Sequence, residues 1–201
     1  MLLDWTVVIP VKGTPAAKSR LAGGVDLALA IALDTVEAAR DVARVLVVTD
    51  VAVASRFEQL GVAVIADPGG GLSAAVSAGI AAVDADAEAA GPGPGAVAVM
   101  LGDLPALTAS ELRAALTAAE GWPLAMVADA ESEGTTLIAA LASAHHAPAF
   151  GVASRTAHLA AGYQELPIGI GSGLRHDVDT AEQLAALTGR LGPRTTAALA
   201  T

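Results

Sequence analysis

Cysteine is absent from this sequence of 201 residues, and aromatic side chains are scarce, with two Phe, two Trp and one Tyr. The lack of cysteine excludes disulfide bonds, thiolate metal sites and a cysteine nucleophile. Because apolar residues still make up 54 % of the chain, its core must be packed mainly from small aliphatic side chains. A chain of this length is typical of one domain, so we predict a single folded unit over residues 1–201.

Positive charge is scarce as well, since 11 Lys and Arg residues stand against 21 Asp and Glu, for a net charge of -10. Such a field repels phosphate backbones, which argues against nucleic acid as a partner. The longest stretch without charged residues, 134–154, is rich in alanine and contains a proline, unlike the roughly 20 strongly apolar residues of a membrane-spanning helix. The amino terminus lacks the basic segment of a signal peptide. We therefore expect a soluble, cytoplasmic protein with no membrane partner.

Strand-like and helix-like segments alternate along the chain. Short β-branched runs predict strands, and apolar residues spaced three or four apart predict helices. This alternation favours an α/β fold in which helices cover both faces of an open, mainly parallel sheet. Ligands bind such sheets beyond the carboxyl ends of the strands. The predicted strands are residues 6–11, 45–49, 62–65, 97–101, 124–128 and 135–140. The predicted helices are residues 26–40, a short helix that ends near residue 60, and residues 71–83, 108–120 and 180–190. We expect residues 85–95 to form a loop and the tail after residue 193 to be frayed.

A basic loop follows the first predicted strand. Lys12, Lys18 and Arg20 fall within nine positions, together with a glycine and a proline. Cations offset the charge of a triphosphate, and a glycine-containing backbone can approach it closely, so the loop is a candidate phosphate site. It matches neither the P-loop nor the dinucleotide-binding pattern. The alternative interpretation is a solvated basic loop.

A glycine cluster at residues 67–73 precedes the third predicted helix. Gly69, Gly70 and Gly71 open the helix that is predicted to run to about residue 83. Exposed N–H groups at such a place can bind a nucleotide. The alternative is a flexible turn without a ligand.

Carboxylates follow two later segments. Asp103 comes after the fourth predicted strand, behind a glycine that lets a ligand approach, and such carboxylates commonly hold Mg²⁺ against phosphates. Asp177 and Asp179 lie two apart in an extended segment, so their side chains point to the same side and repel unless a cation lies between them. Turn or cap roles are the alternatives, and for Asp179 a capping box with Glu182 is the specific rival.

A histidine pair, His145-His146, is the remaining candidate metal motif. Adjacent side chains point apart on a strand, and no other histidine lies at ligand spacing. We interpret the pair as part of a surface turn.

These segments together resemble the phosphoenolpyruvate and 2-phospho-L-lactate guanylyltransferases of coenzyme F-420 biosynthesis. The resemblance runs in the family's order from residue 7 to residue 180, and six short motifs in order are more specific than any one of them. The matching segments are VVIPVKGTPAAKSRLAG, DPGGGLSAAVSAGI, VMLGDLPALT, GTTLIAA, FGVASRTAH and GLRHDVDT.

The resemblance implies the nucleotide-diphospho-sugar transferase fold and a reaction that uses GTP and Mg²⁺, with two ions expected. It also assigns roles to the matched positions. The implied metal ligands and catalytic residues are Asp103, Asp177 and Asp179, with Lys18 as a further catalytic residue. The implied nucleotide-binding residues are Lys12, Lys18, Arg20, Gly71 and Ser73. The implied acid-binding residues are Thr136, Gly151 and Ser154.

The chain departs from the family pattern at the two binding loops. Ser73 replaces a common asparagine, and residues 151–154 read Gly-Val-Ala-Ser where Gly-Pro-Gly-Ser is usual. These differences bear on substrate preference more than on the type of reaction.

We therefore expect a single nucleotidyltransferase domain, a possible homodimer, that joins GMP from GTP to phosphoenolpyruvate and releases pyrophosphate. The alternatives are 2-phospho-L-lactate or 3-phosphoglycerate as the acid, or a molybdopterin or sugar nucleotidyltransferase. Those enzymes usually open with a Leu-Ala-Gly-Gly loop after strand one, where this chain has Lys12-Gly13-Thr14. A catalytically silent nucleotide-binding module is the rival from another class.

Overall fold

The computed structural model describes residues 3–12, 24–90 and 95–200. In this part of the chain seven strands form one sheet. All six predicted strands are present, within one or two residues of their predicted ends, and a two-residue strand closes the sheet at one edge. The strands are β1 (Trp5–Val11), β2 (Arg44–Thr49), β3 (Ala63–Ala66), β4 (Ala96–Met100), β5 (Leu124–Ala128), β6 (Thr135–Ala140) and β7 (Gln164–Glu165).

The order of strands across the sheet is β3-β2-β1-β4-β6-β5-β7. Strand β6 is antiparallel to its neighbours β4 and β5, whereas the remaining pairs are parallel. The prediction of a mainly parallel sheet is therefore confirmed. Because of the one reversal, the amino end of β6 lies at the same edge as the carboxyl ends of β1, β4 and β5.

Helices cover both faces of the sheet, as predicted for an α/β fold. Val7 and Ile9 of β1 belong to an apolar cluster that includes residues of the first, second and fourth helices. Val8 points to the other face and packs in a cluster with residues of the third helix. The helices are α1 (Gly24–Arg40), α2 (Val51–Glu58), α3 (Leu72–Ala90), α4 (Ala109–Ala119), α5 (Ser154–Ala160), α6 (Ala181–Ala186) and α7 (Pro193–Leu199).

Helix α3 lies close against the sheet and is longer than predicted. A Cβ at Gly79 would overlap Val8 Cγ1 and lie 3.1 Å from Val48 Cγ2, so a glycine permits this approach. The loop predicted from residue 85 is wrong for residues 85–90, because the alanines there continue the helix, as their high helix propensity favours. Neither α3 nor another helix of the described residues is long and apolar enough to cross a membrane.

The carboxyl-terminal segment folds back onto α1, so the predicted frayed tail after residue 193 is wrong. Buried Asp34 of α1 accepts hydrogen bonds from the N–H groups of Arg194 (3.1 Å) and Thr195 (2.8 Å) and from Thr195 Oγ1 (2.8 Å). Arg194 also pairs with Glu37 one turn along α1. These bonds satisfy the first N–H groups of α7, which have no partner within the helix. The short helix is therefore held by a side chain that is distant in sequence.

Replacing Asp34 with alanine should lower the free energy of unfolding by about 2 kcal/mol, because three donors near the start of α7 lose their acceptor. Urea unfolding followed by circular dichroism measures the change. The matched control is Asp41→Ala, which removes an exposed carboxylate just after α1 and should cost less than about 0.5 kcal/mol. Equal losses in the two variants would contradict the proposed role of Asp34.

Candidate active site

A cleft of about 420 Å³ opens at the carboxyl edge of the sheet. It is bordered by the residues that follow β1, β4 and β5 and by the amino end of β6, with the start of α3 and the loop before α5 completing the wall. Its position agrees with the expectation that ligands of such sheets bind beyond the strand ends. The predicted site residues that line the cleft are Lys12, Asp103, Gly151, Ser154, Asp177 and Asp179.

Four aspartates, Asp103, Asp129, Asp177 and Asp179, line this cleft and are called the carboxylate cluster below. Burial, followed by the charges of the other three, raises the pKa of Asp177 to about 7. A raised pKa of this kind means that the protein environment disfavours the charged form of the Asp177 carboxyl group. A divalent cation would reverse that balance, and oxygen ligands are those that hard cations prefer. The donor set therefore fits a divalent metal ion.

The backbone holds the predicted aspartates next to one another. The N–H of Val178 donates to the carbonyl oxygen of Asp103 at 3.1 Å, which pins the segment that carries Asp177 and Asp179 beside the end of β4. The N–H of Leu104 in turn donates to buried Thr35 Oγ1 on α1 at 3.1 Å. The two acidic motifs, more than seventy residues apart in the sequence, thus meet through a main-chain bond.

The fourth member of the cluster, Asp129, was not identified from the sequence. Its Oδ1 accepts from the N–H of Glu133 at 3.0 Å, and its Oδ2 accepts from the N–H of Gly134 at 2.6 Å. A Cβ at Gly134 would overlap Asp129 Oδ2, so a larger residue there would displace this carboxylate. The guanidinium of Arg175 donates twice to the carbonyl oxygen of Asp129, at 3.1 and 2.6 Å. The available signal was its position directly after a predicted strand, the same signal that singled out Asp103.

Asp129 also belongs to a trio of metal-binding geometry. One carboxylate oxygen from each of Asp129, Glu131 and Asp177 lies within 4.8 Å of the others. Glu131 is exposed at the rim, whereas the two aspartates are half-buried. The predicted triad of Asp103, Asp177 and Asp179 and this trio share Asp177, so the cleft offers more carboxylates than the sequence analysis assigned.

Asp179 is not the cap of α6, which was the alternative to a role as ligand. Thr180 caps the helix: its Oγ1 accepts from the N–H of Gln183, and the Gln183 side chain accepts from the N–H of Thr180 in return. The predicted capping box of Asp179 with Glu182 is therefore wrong by one position. The reason is that both positions carry residues that suit a cap, and only the geometry selects between them. Asp179 instead lines the cleft.

The loop before α5 contributes Gly151 and Ser154 to the wall of the cleft. Gly151 has φ 127° and Ala153 has φ 56°, both positive, and the N–H of Ser154 donates to the carbonyl oxygen of Gly151 at 3.1 Å. A positive φ is uncommon for alanine. Val152, between them, is fully exposed. The conformation leaves buried Ser154 facing the cleft at the start of a helix.

Three other predicted positions lie near the cleft without lining it. Thr136 is buried in β6, with its Oγ1 3.5 Å from the carbonyl oxygen of Val127, while its neighbour Thr135 lines the cleft. Gly71 and Ser73 are exposed at the start of α3. The roles of these three in binding stay predictions. Lys18 and Arg20 lie outside the described residues.

The predicted histidine pair does not form a metal site among the described residues. His145 is exposed, whereas half-buried His146 donates from Nε2 to the carbonyl oxygen of Val97 at 2.9 Å and accepts at Nδ1 from the hydroxyl of Tyr163 at 3.0 Å. The interpretation as a plain surface turn is therefore correct for His145 and incomplete for His146. A third histidine, His158 of α5, is completely buried in the same region.

A larger groove of about 510 Å³ lies at the opposite edge of the sheet, near the amino ends of β1 and β2. Its cations are engaged, since Arg40 donates to the carbonyl oxygen of Leu60 at 3.0 Å and Arg44 lies 3.7 Å from Asp86. Among the described residues that line it, there is no cluster of carboxylates comparable to that of the first cleft. The carboxylate cluster, not cavity size, identifies the candidate site.

Comparison with known proteins bears on the fold and the family of this chain. Residues 18–189 match the MobA-like NTP transferase domain. The chain is 46 % identical to the phosphoenolpyruvate guanylyltransferase of Streptomyces coelicolor strain A3(2), over 98 % of this chain and 97 % of that protein. In structure it is similar to a Desulfovibrio desulfuricans G20 protein described as a nucleotide-diphospho-sugar transferase (TM-score 0.67, 18 % identity, 99 % and 95 % of the two chains). It is also similar to Mycobacterium tuberculosis Rv0371c in complex with manganese (TM-score 0.54, 18 % identity, 93 % and 98 %). The expected fold is confirmed.

His158 should make the stability of the protein depend on pH. Burial, together with the charge of His146, lowers the pKa of His158 from 6.5 to about 4. Below pH 6.5 the unfolded chain therefore binds a proton at His158 that the folded protein does not bind. The stabilisation by the neutral buried ring is complete above pH 6.5 and is lost as the pH falls toward 4. By pH 5 the loss relative to a variant without this group should be about 2 kcal/mol.

The measurement is urea unfolding of wild type and His158→Gln at pH 7.5 and pH 5. The free energy of unfolding of the wild type minus that of His158→Gln should be smaller at pH 5 than at pH 7.5. Exposed His145→Gln is the matched control and should show no such shift. A difference that is the same at both pH values would contradict the low pKa of His158.

Proposed function

We propose, from the premise that this chain belongs to the phosphoenolpyruvate guanylyltransferase family and is therefore a nucleotide-transferring enzyme, that it transfers GMP from GTP to phosphoenolpyruvate. The observation that carries the proposal is the carboxylate cluster at the strand ends, which lines one cleft together with Gly151 and Ser154. An acidic protein that binds two anionic substrates needs such a place for cations. The proposed products are enolpyruvyl-diphosphoguanosine and pyrophosphate.

In this reaction an oxygen of the acid's phosphate attacks the α-phosphorus of GTP. A new P–O bond forms, the bond from the α-phosphorus to the bridging oxygen breaks, and pyrophosphate leaves with the electron pair. Such a transfer depends on positioning and on charge neutralisation, with no need for a protein nucleophile. The absence of cysteine is therefore no obstacle to the reaction.

The proposed cofactor is Mg²⁺, with two ions. The carboxylates that would hold it are those of Asp103, Asp177 and Asp179, joined by Asp129. When bound, the metal supplies positive charge that offsets the charge on the attacking and leaving oxygens. Support comes from the raised pKa of Asp177 to about 7 and from the manganese complex of a protein of the same fold.

The two substrates are proposed to occupy opposite parts of the cleft. Lys12, exposed at the end of β1, would face the triphosphate, as would Lys18 and Arg20 of the same loop. Ser154 and the N–H of Gly151 would bind the carboxylate or phosphate of the acid, since a glycine lets an anion approach without a Cβ in the way. Gly71, Ser73 and Thr136 keep the roles expected from the resemblance.

The wider setting of the reaction is part of the proposal. We place it in coenzyme F-420 biosynthesis and in the cytoplasm, carried out by residues 1–201 as one nucleotidyltransferase domain and possibly as a homodimer. Phosphoenolpyruvate is proposed over 2-phospho-L-lactate and 3-phosphoglycerate because the similar curated proteins carry its name.

The decisive experiment offers purified protein GTP and Mg²⁺ with each of the three acids in turn and together. Mass spectrometry identifies the guanylylated product. The proposal expects the enolpyruvyl compound to dominate the competition. A mixture dominated by the lactyl compound would overturn the choice of acid, and binding of GTP without turnover would favour a silent module.

Replacing Asp103 with asparagine should reduce turnover by about 100-fold or more, because a metal ligand loses its charge. Asp179→Asn should do the same without loss of stability, since Thr180 and not Asp179 caps α6. Steady-state assays and thermal unfolding measure the two effects. The matched control is exposed Asp41→Asn, and near-wild-type turnover in folded Asp103→Asn would contradict the metal assignment.

Variants of Lys12 and Ser154 should separate the two halves of the cleft. Lys12→Ala should raise the KM for GTP, because it removes a cation from the triphosphate side. Ser154→Ala should raise the KM for the acid by about tenfold to a hundredfold, which is the loss of one hydrogen bond to a charged group, and leave the KM for GTP unchanged. Initial rates with one substrate varied at a time measure both. The assignment fails if each variant affects both substrates equally.

A further inference from the structure

A buried histidine lies directly beneath the loop that borders the acid side of the cleft. His158 has no exposed surface, and it follows Ser154 by four residues on α5. Residues four apart on a helix lie on the same face, so His158 is one turn below the serine that faces the cleft. It is in neither the carboxylate cluster nor the cleft wall, and the reaction proposed above does not use it.

Both ring nitrogens of His158 are hydrogen bonded to segments that line the cleft or lead into it. Nε2 accepts from the N–H of Ala149 at 2.8 Å, and Nδ1 lies 3.0 Å from Thr135 Oγ1. A nitrogen that accepts from an amide carries no proton, so the neutral ring carries its proton on Nδ1 and donates it to Thr135. One side chain thus connects the loop to the first residue of β6.

The ring is held in place by aromatic neighbours. Phe150 and Tyr163 meet it edge to face, with ring centroids 5.3 and 5.2 Å away. The Tyr163 oxygen accepts from the N–H of Ala147 at 2.9 Å and bonds to His146, whose Nε2 donates to β4. Residues 146–150 are therefore fastened to the sheet by side chains before the chain reaches Gly151.

We propose that His158 is a positioning residue for the acid substrate, which fixes the loop of residues 149–154 through the N–H of Ala149. The positive φ of Ala153 supports this role, since a residue other than glycine keeps such a conformation only where its surroundings hold it. The inference rests on the proposed function in that it takes this loop to bind the acid. Burial, which lowers the pKa of His158 to about 4, keeps the ring neutral near pH 7 and its Nε2 available as an acceptor.

Two conservative variants distinguish the two hydrogen bonds. His158→Gln can place a carbonyl oxygen near the position of Nε2 and so accept from Ala149, whereas His158→Asn can replace only the donor to Thr135. We expect His158→Asn to raise the KM for phosphoenolpyruvate by about tenfold with the KM for GTP unchanged, and His158→Gln to recover most of that loss. Exposed His145→Gln is the control. Unchanged KM for the acid in His158→Asn, or equal increases for both substrates, would overturn the proposal.

Two further measurements need no turnover and test the positioning itself. The N–H of Ala149 should be protected from hydrogen exchange in the wild type and in His158→Gln, and should exchange at least about tenfold faster in His158→Asn. The ¹⁵N shifts of the ring should report a proton on Nδ1. A proton on Nε2 would overturn the proposal even if guanylyl transfer is observed. So would an exchange rate at the N–H of Ala149 that is the same in the wild type and in His158→Asn. Protection that depends on His158 in a protein with no guanylyl transfer would uphold the positioning and refute the proposed function alone.

Discussion

Repulsion between like charges is the constraint around which the cleft is organised. Four aspartates converge at one edge of the sheet, and burial adds to the cost of ionising them, as the raised pKa of Asp177 indicates. A chain would not hold such groups together for stability alone. The arrangement becomes favourable when a cation neutralises it, which ties the cleft to the phosphate chemistry of a nucleotide-transferring enzyme.

Main-chain hydrogen bonds hold the carboxylates in place against that repulsion. The N–H of Val178 binds the carbonyl oxygen of Asp103, and Arg175 binds the carbonyl oxygen of Asp129. In the second case the guanidinium of Arg175 lies near the cluster without neutralising a carboxylate, because it donates to main-chain carbonyl oxygens and to the hydroxyl of Ser132. The loop before α5 is held in a similar way, since Nε2 of His158 accepts from the N–H of Ala149. Both walls are thus positioned by side chains that bind the main chain.

The part of this site that follows a strand end could be predicted, and the part that depends on strand direction could not. Asp103 was identified because it follows a buried strand, and Asp177 and Asp179 because of their spacing. Asp129 also follows a strand and carried the same signal, whereas Gly134 and Thr135 line the cleft because β6 runs antiparallel between β4 and β5. Local sequence does not encode that reversal, since the pattern of a buried strand is the same in either direction.

The sequence by itself determined the α/β alternation, the aliphatic core and the order of the motifs, because periodicity and composition act over a few residues. Tertiary structure alone decided which polar residues became partners. Asp34 accepts hydrogen bonds from the first turn of a helix that begins about 160 residues later. His158 reads as an ordinary helical residue, yet it is buried between Ala149 and Thr135. Hydrogen bonds between distant segments depend on distances that exist only after the sheet and its helices have packed.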